Sequence, residues 1–440
     1  MVSMAAVDYA GNQGYTPAQE TASMFATLLP FMMFGILLAA VLNRALARQA
    51  WLSLPVALVI CGFISSEIWV GFGLDTGLRW QVLSDLVFYL LLPILVFESA
   101  INTDIRMLRR EAILIGALAI PLLLAAVGIA AMLMMHLMGA TLGYDWAIAL
   151  LIASMICATD PAAIATVAGA EGPGGRTLNL LEGESLINDG TTIALFVLLS
   201  GLLSTGAMSE VGFVNIAGRF LVTLLGAAVI GALLGWLFDW VIAPANDKVV
   251  VTASTLVLAF TSFWVAEHLL GLSGVVATLG AGLTVAWRQR RERSDDDIAF
   301  AFDAWRLFGF CASAMLFFVV GMSITLRMFQ DYWLAMLAGV VAAIVSRAII
   351  VFLGAGPLSR LPGSQPLALP EQNLLWLGGI RGAVAIALAL SLSVDIEGWY
   401  VVQSTVYGVA LFSLVFQPPL VPRLLASVDV NHRDSDKYDR

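Results

Sequence analysis

The stretch LLEGESLINDGTTIALF, residues 180–196, decides how this chain is read. It opens and closes on apolar residues, yet Glu184, Ser185, Asn188 and Asp189 lie between them. At 100° per residue those four side chains fall within an arc of about 140° on one helix. A polar face on an otherwise apolar helix must look into protein, so the surroundings of the helix settle what the face is for.

Those surroundings are apolar from end to end. Of 440 residues 60% are hydrophobic and only 12% are charged, about half the ~25% charged share usual in a soluble domain. A soluble fold of this size could not cover itself with so little charge. Apolar runs of about 20 residues recur along the whole chain, as bilayer-crossing helices require. The fold class expected is an all-α polytopic membrane protein. The net charge of −9 reflects loop and tail carboxylates, and the basic residues are too dispersed for nucleic acid. Cys61, Cys157 and Cys311 stand singly in apolar runs and read as core thiols, with no disulfide framework. Residues 1–20, MVSMAAVDYAGNQGYTPAQE, lack the basic start of a cleavable signal peptide.

Cutting the apolar runs at Gly, Pro and charge gives about 13 spans. They lie near 23–44, 51–72, 81–103, 112–137, 146–168, 178–204, 211–240, 247–268, 272–287, 300–326, 332–355, 369–393 and 399–424. Three domains of organisation are expected: a polar N-terminal segment over 1–22, a transmembrane domain over 23–424, and a short cytoplasmic tail over 425–440. The positive charge alternates with this count. Arg44, Arg48, Arg106, Arg109, Arg110, Arg176, Lys248, Arg360, Arg423 and the RQRRERSDDD run at 288–297 fall on one side. Arg79, Arg219 and Arg327 fall on the other. The expectation is an outer N-terminus and a cytoplasmic C-terminus.

An ionisable group at mid-bilayer costs at least about 2.5–3.5 kcal/mol on insertion scales, so each one asks for a partner or a task. The candidates are Glu98, Asp160, Glu184, Asp189, Arg347 and Arg381, with Thr159, Ser185 and Asn188 as polar helpers. In MICATDPAAIA, residues 155–165, Asp160 precedes Pro161, which removes a backbone donor and disfavours helical geometry ahead of it. A broken helix is expected there, with freed carbonyls including that of Thr159 available to a cation. A second break is expected in LGGIRGAVAIALAL, residues 377–390, where three glycines surround Arg381. Two interrupted helices seven spans apart are what inverted repeats produce, with spans 4–6 and 11–13 as the copies. Arg347 in IVSRAIIVF, residues 344–352, needs an acidic partner. His136, His268 and His432 lie near span ends or in the tail, and no proton relay is expected of them.

Carboxylates, a hydroxyl and a backbone carbonyl make a hard-oxygen site suited to Na⁺ or Li⁺. Burial favours the protonated form of a carboxylate and a nearby cation favours the ionised form, so H⁺ and Na⁺ compete for one group. No cofactor is implied; Na⁺ and H⁺ are the ligands such a site would take. A cation channel would need a continuous polar path, and spans 4 and 7 carry few polar residues to line one. An enzyme using Asp160 and Asp189 as a catalytic pair would need a nucleophile or metal motif, and none accompanies them.

The Phe97–Glu98 pair of LLPILVFESAI (91–101), ATDPAAIA, LLEGESLINDGTTIALF, GLSGVVATLGAGL (271–283) and GGIRGAVAIALAL occur in this order. Together they resemble the cation:proton antiporter family, in its NhaP-type Na⁺/H⁺ antiporter branch related to eukaryotic Na⁺/H⁺ exchangers. The resemblance implies the antiporter fold with two crossing broken helices, a homodimer and a location in the bacterial inner membrane. It implies an ion site of Asp160 and Asp189 as carboxylate ligands, Ser185 through its hydroxyl and Thr159 through its carbonyl. Glu98 reaches that site, Asn188 orients the carboxylates, Glu184 pairs with Arg347, and Arg381 supplies the charge of the second broken helix. An Asn-Asp pair in place of Asp-Asp implies electroneutral exchange of one Na⁺ for one H⁺, with K⁺/H⁺ exchange on the same fold as the alternative. Two positions depart from the family: Ala162 stands where valine is usual, and EGPGG (171–175) replaces a commonly basic loop.

Overall fold

Lipid offers no hydrogen bonds, so apolar runs of this length satisfy their own backbone groups as helices. The computed structural model describes residues 30, 33–42, 44–45, 53–71, 80–142, 145–160, 175–204, 213–242, 247–292, 295–361 and 364–428, and every regular element among them is helical. In chain order these are α1 (Met33–Leu42), α2 (Leu54–Gly71), α3 (Leu83–Asn102), α4 (Ala112–Gly139), α5 (Trp146–Ile156), α6 (Gly175–Ser204) and α7 (Asn215–Ile242). They continue with α8 (Lys248–Leu269), α9 (Gly274–Glu292), α10 (Asp296–Ser323), α11 (Leu326–Leu358), α12 (Leu369–Leu377), α13 (Ala383–Leu390) and α14 (Trp399–Val428).

Among the described residues nine helices are long and apolar enough to cross a membrane: α2, α3, α4, α6, α7, α8, α10, α11 and α14. The sequence leads to about 13 spans, and the others are represented by helices of different character. α1 and α5 are short. α9 ends in the polar run WRQRRE, and the span expected at 369–393 is split into α12 and α13. The N-terminal segment 1–22, Ala162, the 171–174 part of EGPGG and the end of the tail lie outside the described residues.

The helix boundaries follow local chemistry. Gly271 takes a left-handed conformation (φ 62°) between α8 and α9, a geometry that glycine adopts without steric cost. There the Glu267 carboxylate accepts from the Gly274 N–H at 2.7 Å and caps α9. Asp145 and Asp247 cap α5 and α8 in the same manner through the N–H groups of Ile148 and Val249.

Packing divides the helices into two groups. α4, α5, α6, α11, α12, α13 and α14 pack mainly on one another, and so do α2, α3, α7, α8, α9 and α10. Small residues set the tightest contacts of the second group. Gly62 of α2 lies against the Phe318 carbonyl of α10, and Gly231 of α7 lies against the Ala277 carbonyl of α9, with no room for a side chain at either. Trp305 of α10 packs on Phe97 of α3 with the ring planes tilted by 32°, and donates its indole N–H to the Thr255 hydroxyl of α8 at 2.8 Å. Large apolar side chains such as Val229, Leu233, Trp236 and Trp240 of α7 point outward, the inside-out arrangement that a lipid surround permits.

Candidate functional site

The site lies where the two breaks meet. α5 ends at Ile156, and residues 158–160 are not helical. The break between α12 and α13 covers residues 378–382. The Asp160 N–H donates to the Ile380 carbonyl at 2.6 Å, and the Ala383 N–H donates to Asp160 Oδ2 at 3.0 Å. An N–H at the start of α13 therefore faces a carboxylate of the opposite break, the favourable polarity for an anion. Glycine makes this approach possible: a Cβ on Gly382 would overlap the Asp160 carboxyl group, and one on Gly379 would lie 2.9 Å from Arg347 Nε and 3.3 Å from Thr159 Cγ2.

α6 brings its polar face against the first break. The Ser185 hydroxyl donates to the Thr159 carbonyl at 2.5 Å, so these two expected ligands meet each other directly. The Asn188 amide donates to Thr159 Oγ1 at 3.2 Å and to the Cys157 carbonyl at 3.4 Å. Its own oxygen accepts from the Thr192 hydroxyl at 2.8 Å. Asn188 thus holds the unwound backbone of the break, where the resemblance gives it neighbouring carboxylates to orient. The backbone acceptors freed at the end of α5 account for the difference.

Asp189 follows Asn188 and lies within electrostatic range of Asp160. Its Oδ1 is buried and has no hydrogen-bond partner among the described residues. A buried polar atom without a partner is rare in native structures, since leaving a donor or acceptor unsatisfied costs about 1–3 kcal/mol and more for a charged group. Gly190, the next residue, packs on Val276 and Leu279 of α9, so this part of α6 lies at the boundary between the two helix groups.

Glu98 is placed differently. It lies within electrostatic range of Asp160 and Arg306, accepts from the Asn102 amide at 2.8 Å, and packs its carboxyl group on Gly309 of α10. Among the described residues no three Asp, Glu, His or Cys side chains come together to hold one metal ion. Glu98 is therefore not joined to both aspartates in a single ligand set.

The two intramembrane arginines have separate partners. Arg347 of α11 forms a buried fork with Glu184 of α6, with Nη2 donating to Oε2 at 2.6 Å and Nη1 donating to Oε1. Nη2 and Nε also donate to the Leu375 carbonyl at the end of α12, at 3.1 and 3.3 Å. Arg381 has no carboxylate partner among the described residues. Its guanidinium donates to the Ile156 carbonyl at the end of α5 (3.0 Å), to the Ala343 carbonyl (2.9 Å) and to the Gly379 carbonyl (2.5 Å). Each half-helix that ends at a break thus has its last carbonyls met by a guanidinium, the polarity that a helix C-terminus favours. Arg381, the expected charge of the second broken helix, is thus anchored by backbone carbonyls.

At the Arg-rich end, Arg176 ties three elements together. It donates to both Glu111 oxygens at 2.8 and 3.2 Å and to the Gln365 carbonyl at 2.7 Å, and it lies 3.8 Å from Glu371 Oε1. The starts of α4, α6 and α12 are thereby joined. Sequence reasoning does not reach this cluster, because its charges sit at span ends and read as solvated.

The sodium/hydrogen exchanger transmembrane profile matches residues 23–427, nearly the whole chain. This chain is a member of the sodium/hydrogen exchanger family. It is 32% identical over 358 residues to the Na⁺/H⁺ antiporter ApNhaP of Aphanothece halophytica, covering 79% of this chain and 66% of that protein. It is 31% identical over 348 residues to the Na⁺/H⁺ antiporter NhaP of Pseudomonas aeruginosa, covering 76% of this chain and 80% of that one. The chain spans about two thirds of the length of several curated relatives it matches. The solved structure of the sodium proton antiporter MjNhaP1 from Methanocaldococcus jannaschii at pH 8 superposes with a TM-score of 0.78 at 18% identity, over 92% of this chain and 99% of that one. The exchanger-family member described here is thus an integral membrane protein of a transporter family, with the fold of MjNhaP1.

Proposed function

We propose that this protein exchanges Na⁺ or Li⁺ for H⁺ across the membrane, by alternating access with both ions competing for Asp160 and Asp189. The observation that carries the proposal is Asp189 Oδ1, buried without a hydrogen-bond partner among the described residues beside Asp160 and the Ser185–Thr159 pair. A buried carboxylate oxygen of this kind is satisfied by binding a proton or a small hard cation, and the two are mutually exclusive. Membership of the exchanger family and the names of the antiporter relatives support the same reading.

The cation ligands in this account are Asp160 and Asp189 carboxylates, the Ser185 hydroxyl and the Thr159 carbonyl, with Glu98 at the approach to the site and Asn188 holding the break. Binding would insert the cation between Ser185 Oγ and the Thr159 oxygen and turn the hydroxyl proton away. Glu184 and Arg347 brace α6, α11 and α12 as a fixed pair. Arg381 remains a permanent charge of the second break.

The wider arrangement is part of the proposal: about 13 spans, an outer N-terminus and cytoplasmic C-terminus, inverted repeats over spans 4–6 and 11–13, and a homodimer in the bacterial inner membrane. The helix group that holds both breaks moves against the other group, carrying only charge-balanced loaded forms, because an empty anionic site is costly to move through the bilayer. Exchange is electroneutral, one Na⁺ for one H⁺, since Asn188 leaves Asp189 as the one titratable group of its pair. In proteoliposomes an imposed pH gradient should drive Na⁺ and Li⁺ uptake without creating a membrane potential. If K⁺ alone collapses the gradient, the Na⁺ assignment fails. An ohmic current would instead establish a channel.

A further inference from the structure

Two buried polar residues of α14, Ser413 and Gln417, take no part in the ion site described above, and both face the second break. Breaking a helix at residues 378–382 frees several backbone groups, among them the Arg381 N–H and the Leu377 carbonyl. The Arg381 N–H donates to Ser413 Oγ at 2.8 Å. The Ser413 hydroxyl donates in turn to Gln417 Oε1. Gln417 Nε2 donates to the Leu377 carbonyl at 3.1 Å. The relay closes a loop from one side of the break to the other through a side-chain pair spaced four residues apart, the separation that brings side chains together on a helix. Both side chains are buried, and unsatisfied buried backbone groups would otherwise weaken the break.

The spacing repeats that of the ion-binding face. On α6 a serine and a polar residue four positions later, Ser185 and Asp189, meet the first break, where Ser185 donates to the Thr159 carbonyl. On α14 Ser413 and Gln417 meet the second break with the hydrogen bond reversed: the serine accepts from backbone N–H. An amide stands where α6 has a carboxylate, and the cation at this break is the covalently held Arg381 guanidinium.

We propose that Ser413 and Gln417 are positioning residues of the ion site, forming a neutral counterpart of Ser185 and Asp189 that locks the second break so that it can hold Asp160. The link to Asp160 is short. Ile380 and Ala383, on either side of Arg381 and Gly382, supply the carbonyl and the N–H that grip the Asp160 backbone and carboxylate. The role in cation binding rests on the exchange function proposed above. The hold on the break does not.

Ser413→Thr and Ser413→Val test this, because threonine and valine match in shape and differ by the hydroxyl. In purified full-length protein, hydrogen exchange over residues 376–390 should accelerate about tenfold or more in Ser413→Val and Gln417→Ala and stay at the wild-type rate in Ser413→Thr. In proteoliposomes the apparent KM for Na⁺ should rise about fivefold or more in the first two variants, with maximal turnover within about twofold of wild type, and Ser413→Thr should restore it. Equal behaviour of the Thr and Val variants in hydrogen exchange, or in KM where the wild type transports Na⁺, overturns the proposal. Should Ser413→Val not fold, Gln417→Ala carries the same two readouts. Wild-type protein without Na⁺-driven proton movement but with the Thr/Val exchange difference would sink the exchange function and leave the positioning intact. Normal transport with unchanged hydrogen exchange in Ser413→Val and Gln417→Ala would sink the positioning alone.

Discussion

The two breaks are built from the same elements with opposite charge. At the first, the freed carbonyl of Thr159 meets a donor, Ser185, and the side chains gathered there are the carboxylates Asp160 and Asp189. At the second, the freed N–H of Arg381 meets an acceptor, Ser413, and the charge is a guanidinium fixed by the carbonyls of Ile156, Ala343 and Gly379. At the second break the cation is a side chain and cannot leave. In the proposed exchange, a buried Oδ1 that lacks a hydrogen-bond partner among the described residues makes the first break the receptor. On the proposed function, the difference teaches that the interrupted helix by itself is only a frame, and that the residue on the following helix decides whether the frame binds an ion or closes on itself.

The largest effect should come from removing the receptor charge. Asp189→Asn should lower Na⁺/H⁺ exchange in proteoliposomes by at least about a hundredfold with normal yield of folded protein, a loss of about 2.7 kcal/mol or more of ion-dependent stabilisation. Retained exchange in this variant would remove the distinction between the two breaks. The brace should behave in the opposite way. Glu184→Leu leaves Arg347 buried without its partner and should cost about 3–5 kcal/mol of stability, whereas the double change with Arg347→Met should recover most of it. Thermal unfolding followed by detergent-solution fluorescence reads both, and a double variant as unstable as the single one would mean that the pair does more than brace.

Smaller effects sharpen the geometry. Gly382→Ala places a methyl group against the Asp160 carboxyl group and should raise the apparent KM for Na⁺ about tenfold, equivalent to about 1.4 kcal/mol. Gly201→Ala on the same α6 helix as Asp189 points into open space and should leave KM unchanged. Thr192→Val removes the hydrogen bond that fixes the Asn188 amide, worth about 0.5–1.5 kcal/mol. Na⁺ uptake assays should then show a loss of a few fold, and full wild-type activity would mean that Asn188 keeps its orientation without Thr192.

Much of this was legible in the residues, because a bilayer writes its constraints into composition. Apolar runs bounded by Gly, Pro and charge correspond to helices such as α2 and α4 to within a few residues. Pro161 follows the first break in sequence and glycines flank Arg381 at the second, since proline withdraws a donor and glycine allows close approach. The Glu184–Arg347 contact was legible as two unlike charges that each needed a partner inside the membrane. The partners of Arg381 and Asn188 were not, because both bind backbone carbonyls at the breaks, and every residue carries one. Gly382 hides its purpose for a related reason, since the group it makes room for, Asp160, lies 222 positions away in sequence. Ser413 and Gln417 are ordinary letters in an apolar span until the break they serve is folded against them.

The central claim is that Na⁺ and H⁺ compete for one carboxylate of the first break. Adding Na⁺ to the purified protein in lightly buffered detergent solution, with choline holding ionic strength constant, tests it without transport. The account predicts saturable release of protons from the wild type, a weaker apparent Na⁺ affinity as pH falls, and no release from Asp189→Asn. Saturable Na⁺ binding with no proton released at any pH would contradict it.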